Sequence, residues 1–172
     1  MNVGPVNKFR AEIAHYFPAE SKPGDDQLVI NDGFDELEKR DAISFYAGKS
    51  WTDVLAHLRS LKDAPVFRGA YYLEEWSVLS EGALSYYIRA HLEFLYEQLS
   101  GENPDEMFVY AFVGSLYQMA YMHRGSPFTQ EQTIYLRKVA ESVAREAGNM
   151  ERYGGLGTAI QSGVGQFLAA LG

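Results

Sequence analysis

Cysteine is absent from this 172-residue chain. That excludes disulfides, thiolate metal sites and cysteine nucleophiles together. Positive charge is scarce as well. Fifteen Lys and Arg stand against 23 Asp and Glu, a net charge of −8 with an isoelectric point near 5.0. A broad nucleic-acid surface needs clustered Lys and Arg, so this balance argues against one and suits a basic partner. Long hydrophobic runs are also missing. The strongest, Met107 to Met122, is interrupted by Gly114, Ser115 and Gln118 and carries Tyr110, Tyr117 and Tyr121. It is shorter than the ~20 residues a bilayer span needs and reads as a buried core helix. The opening Met1-Asn2-Val3-Gly4-Pro5 has no basic segment followed by an apolar run, so no secretory signal is expected. A cytoplasmic protein is the expectation.

What is present points to a folded body. Apolar residues make up 47% and aromatics 14% of the chain, which excludes wholesale disorder. The length suits one domain over 1–172, burying roughly two-thirds of its unfolded surface. Helix signals run almost throughout, so the expected fold class is all-α: a single compact bundle of about six to seven helices. A first helix is predicted from Pro5 to Phe17, with Phe9, Ile13 and Tyr16 on one face. A second follows Asp32 as cap and stops at Gly48. Ser50-Trp51-Thr52-Asp53 reads as a capping box for a third. Ser80 caps a central helix whose Leu84, Tyr87, Ile88, His91, Leu92, Leu95 and Leu99 repeat at threes and fours. Asn103-Pro104 is read as the next start, Thr129-x-x-Gln132 as a capping box, and Gly155 to Leu171 as a last helix. Gly157, Gly163 and Gly165 inside that last helix suggest tight packing or a fraying end. Gln27-Leu28-Val29-Ile30 is at most one short strand, too little for a sheet.

The chemistry-bearing patterns are sparse. His15, His57, His91 and His123 have no metal-ligand spacing. His91, on the apolar stripe, reads as a core histidine. Gly154-Gly155-Leu156-Gly157 resembles a phosphate loop but lacks the following Lys-Ser/Thr. Arg89, Glu93 and Glu97 fall on one helix face and read as a solvated, partly salt-bridged stripe. No catalytic residue, metal ligand or cofactor site is assigned.

Acidity is uneven. Residues 1–106 hold 19 acids and 10 bases, whereas residues 107–172 hold four acids and five bases. The densest piece contains Asp25, Asp26, Asp32, Asp35, Glu36 and Glu38. A second stretch, Ala64 to Leu79, mixes Tyr72, Glu74, Glu75 and Trp76. Aromatics beside acids make amphipathic contact surfaces. These ten residues are the candidate partner-binding set.

Several elements taken together carry a resemblance. Phe17-Pro18, Gly24-Asp25, Leu28-Val29, Gly48-Lys49-x-Trp51, Leu79-x-x-x-Ala83-x-x-Tyr86-Tyr87-Ile88 and Phe128-Thr129-x-x-Gln132 resemble a family of small, functionally uncharacterised bacterial proteins, over roughly residues 15 to 145. The family pattern has Leu-Pro-Ala after the Tyr-Tyr pair, where this chain has Ile88-Arg89-Ala90. The resemblance implies a fold unit and no mechanism.

Three functional readings follow. The leading one is a non-catalytic binding module, an immunity or inhibitor protein that neutralises a basic toxin or effector. The others are an enzyme built on Glu93, Glu97, His91 and the tyrosines, and a structural subunit whose aromatic surface forms a homodimer. The expected partner is a basic protein, with neither nucleic acid nor membrane.

Overall fold

Helix caps and apolar stripes account for most of the backbone. The computed structural model describes residues 5–18, 21–30, 36–61, 71–123, 126–148 and 154–172. Among these it is all-α, with seven helices and no strand beyond one isolated bridge. The helices are α1 (Pro5–Tyr16), α2 (Glu36–Tyr46), α3 (Trp51–Ser60), α4 (Glu81–Ser100), α5 (Glu106–Met122), α6 (Gln130–Ala147) and α7 (Gly157–Ala170). Three short 3-10 turns cover Asp25–Gln27, Glu74–Ser77 and Gly154–Leu156. The tertiary contacts divide the chain into two units, Met1–Tyr96 and Glu97–Gly172.

In the first unit, local signals act as written. Gly48 adopts φ +74°, a left-handed conformation that ends α2 at low steric cost. Ser50 Oγ accepts from Asp53 N (3.2 Å) and the Asp53 carboxylate accepts from Ser50 N (2.7 Å), the reciprocal box that starts α3. Ser80 Oγ accepts from Ala83 N and donates to Gln27 O (2.6 Å), so one hydroxyl caps α4 and ties down the 27–30 segment. That segment makes a single antiparallel bridge, Val29 to Leu79, with Ile30 N donating to Val78 O and Ser80 N to Leu28 O. Leu28, Val78 and Leu79 are fully buried there. The buried core of this unit includes Ile13, Phe17, Tyr46, Leu58, Tyr71 and Trp76.

In the second unit, α5 begins later than the Asn103-Pro104 signal implied. Asp105 is the N-cap, its carboxylate accepting from Phe108 N (3.0 Å), and its own N–H donates to Gln98 Oε1 (3.0 Å). A carboxylate caps well and favours the positive helix end. Thr129 and Gln132 form the predicted box at the start of α6. α7 packs against α5 and α6. A Cβ on Gly163 would lie 2.8 Å from Val113 Cγ1, so this glycine permits the close approach of α7 to α5; Gly165 faces open space. No helix among the described residues is long and apolar enough to cross a membrane.

Candidate functional site

The first unit brings the two acidic stretches of the sequence together at one place. The turn Glu74–Ser77 packs against α2. On α2, Glu38, Asp41 and Phe45 follow at spacings of three and four and so share a side. Glu75 feels the negative charges of Glu74, Asp41 and Glu38; burial first, and then these like charges, hold its carboxyl above the usual range. Tyr46, fully buried, is pushed well above its ordinary value by that burial and then by the charge of Glu75. The result is a negative cluster drawn from two elements far apart in sequence. Asp41 belongs to it and was missed; its spacing from Glu38 was the available signal.

Tyr72 stands beside this cluster with an unusual backbone. Its φ is +51°, which costs a residue with a Cβ roughly 1–2 kcal/mol. Two contacts hold it: the Tyr46 hydroxyl donates to Tyr72 O (2.7 Å), and its ring stacks on Phe45 at 3.7 Å between centroids, 5° from parallel. His57 meets both rings edge-on, at 5.0 and 5.7 Å. Lys49 Nζ lies 4.5 Å above the Phe45 ring and donates to Phe45 O. Tyr72 is therefore a half-exposed aromatic fixed next to carboxylates.

Other predicted contact residues fare differently. Trp76 is 1% exposed and is removed from any contact surface. A 3-10 turn advances about 120° per residue, so Glu74 faces out while Trp76 points into the core, edge-on to His91 at 4.9 Å. Asp25 is exposed but engaged: its carboxylate accepts from Gly48 N (3.0 Å) and braces the turn between α2 and α3. Asp26, Glu36 and Glu38 are exposed, with Glu36 paired to Lys39 at 3.1 Å. Asp32 and Asp35 lie outside the described residues, as does the 64–70 part of the aromatic stretch.

His91 and Glu93, two residues of the enzyme reading, sit in different surroundings. His91 is fully buried, with Nδ1 3.2 Å from Tyr87 O and Nε2 3.2 Å from Tyr71 O. Burial pushes it down to about 4, outweighing the two carbonyls that favour the cation. Glu93, two residues along the same helix, points elsewhere. The sequence placed it on a solvated face; it is in fact buried and paired with Arg10 Nε of α1 at 3.0 Å. The docking of α1 on this side of α4 covers it. No group of three or more His, Asp or Glu is placed to hold a metal among the described residues.

The two most specific motif elements touch each other. The Tyr87 hydroxyl donates towards Lys49 O (2.9 Å) and Tyr46 O (3.1 Å), and Trp51 N donates to Tyr86 Oη at 3.5 Å. Arg89 lies 4.2 Å over the Trp51 ring. Tyr87, buried and close to Tyr86 and the charges of Asp25 and Asp53, is pushed up to about 12. Gly-Lys-x-Trp and Tyr-Tyr thus form one brace that fixes the α2–α3 turn on α4, and through Tyr46 it supports the Tyr72 face. Set against family models, curated proteins and solved structures, the chain matches none of them.

Proposed function

We propose that the chain is a non-catalytic protein-binding module, an immunity or inhibitor protein of the cytoplasm that covers a basic site on a toxin or effector. One observation carries the reading: burial first, and then the added negative charges of Glu74, Asp41 and Glu38, hold the Glu75 carboxyl above its usual range, although like charges repel and folding alone gains nothing by collecting them. An acidic face of this kind raises association rates with a basic partner by long-range attraction. Tyr72, rigid and half-exposed at its edge, supplies the aromatic anchor that interfaces favour. The contact set is Glu38, Asp41, Tyr72, Glu74 and Glu75, with Asp26 and Glu36 on the same acidic segments. Asp25 is left to the turn it braces, and Trp76 to the core.

The test is co-expression with the product of the adjacent gene, followed by binding kinetics. A complex is expected whose association rate falls steeply with salt, since the Debye length shrinks from roughly 10 Å at 0.1 M to roughly 3 Å at 1 M. Reversing Glu38 and Glu74 to Lys is expected to slow association by about tenfold or more while dissociation changes little. Absence of a complex, or a complex indifferent to both salt and reversal, removes the reading.

A further inference from the structure

Among the described residues Tyr72 alone, glycine aside, has a positive φ. A residue with a Cβ stays in that region only where its surroundings over-determine it. Two rotations place such a residue: φ turns it against the peptide plane before it, and ψ against the plane after it. The plane after Tyr72 is pinned by the Tyr46 hydroxyl, which donates to Tyr72 O at 2.7 Å. The plane before it carries Tyr71 O, and His91 Nε2 lies 3.2 Å from that oxygen. Thus α2 and α4 grip the two peptide planes that flank a single Cα. The His91 ring is fully buried, and burial keeps it uncharged near neutral pH. A neutral imidazole has one N–H to give. Nδ1 faces Tyr87 O at 3.2 Å, four residues back on α4, a carbonyl that the helix already uses for the backbone N–H of His91. Nε2 faces a different segment, so a proton there ties two parts of the chain together. Trp76 packs edge-on against the same ring at 4.9 Å.

We propose that His91 is a positioning residue for the contact face: carrying its single proton on Nε2, it donates to Tyr71 O and, with Tyr46 on the next peptide plane, locks Tyr72 in the left-handed conformation that stacks its ring on Phe45. Without either tie, Tyr72 relaxes to negative φ and the ring leaves Phe45. The stack, 3.7 Å between centroids and 5° from parallel, is what these ties preserve. The strain is met within the free chain, before any partner arrives. An anchor set in advance loses less freedom on binding than one that must be ordered at that moment. The positioning itself stands on geometry; its bearing on a partner rests on the reading of Tyr72 as a contact residue.

The experiment begins with the full chain alone at pH 7. Long-range proton–nitrogen NMR spectra read the His91 tautomer, and nuclear Overhauser contacts between the Tyr72 and Phe45 rings read the stack. A proton on Nε2 and a bare Nδ1 are expected. His91→Phe keeps a buried ring without a donor and is expected to weaken the Tyr72–Phe45 contacts, as is Tyr46→Phe. His91→Gln, whose amide supplies a donor to Tyr71 O, is expected to keep them. In the complex sought above, His91→Phe is expected to speed dissociation by about fivefold or more, with the salt dependence of association unchanged. In a Tyr72→Ala background the same change is expected to add nothing, an outcome that a merely structural loss would not give. A proton on Nδ1, or a stack that survives His91→Phe, overturns the proposal, and so does a His91 effect that persists without Tyr72. Absence of any complex removes the functional reading and leaves the spectra to decide the positioning.

Discussion

His91 and Glu75 show how single side chains set the pH behaviour of the first unit. His91 is held neutral in the fold at about 4, against an ordinary value of 6.5. The unfolded chain therefore binds a proton there first as pH falls. Stability from this group is fully present above pH 6.5 and is lost between 6.5 and 4, by roughly 3 kcal/mol in all. Urea melts at pH 7 and pH 4 are expected to show a smaller loss in His91→Gln than in the parent. Glu75 works in the opposite direction. Its folded carboxyl sits above the usual range, so ionisation at neutral pH opposes folding. Glu75→Gln is expected to raise the melting temperature at pH 7, with the gain shrinking as pH falls towards 4, while slowing association with a basic partner. A variant less stable at pH 7 would contradict the like-charge cluster. These two residues were differently legible. His91 on an apolar stripe already implied a satisfied core histidine. The burial of Glu93 was not readable, because its partner Arg10 lies on a helix about eighty residues away.

Helices in this chain are bounded by local chemistry but packed by distant contacts. The boxes at Ser50 and Thr129 occur where the sequence placed them, since each needs only four consecutive residues. Ser50→Ala is expected to cost about 1 kcal/mol in a urea melt. The glycines of α7 divide in a way that periodicity does not reveal. A methyl at Gly163 collides with Val113 Cγ1 on α5, whereas a methyl at Gly165 meets nothing. Gly163→Ala is thus expected to destabilise by about 1–3 kcal/mol, and Gly165→Ala to stabilise by about 0.5–1 kcal/mol. Equal effects from the two would mean that α7 does not pack on α5 as described. Fraying, one of the two readings of these glycines, has no need to be invoked at Gly163. The start of α5 was misread for a related reason. Asn and Pro look like a start signal, but Asp105 supplies the stronger cap and Gln98 anchors it from α4.

At the scale of the whole chain, charge and apolarity are segregated along the sequence. Nineteen of the 23 acids lie in residues 1–106, and the two charge-free helix segments follow at 107–122 and 157–170. That segregation, the all-α class and most helix boundaries were determined by the sequence alone, because composition, caps and a 3.6-residue period are properties of neighbouring residues. Tertiary structure alone decided which carboxylates meet, that Trp76 turns inward while Tyr72 remains at the surface, and that Gly-Lys-x-Trp closes on Tyr-Tyr. Each of these depends on contact between segments some twenty to forty residues apart. No local pattern encodes such a contact, because it is the packing of the core that chooses which segments become neighbours.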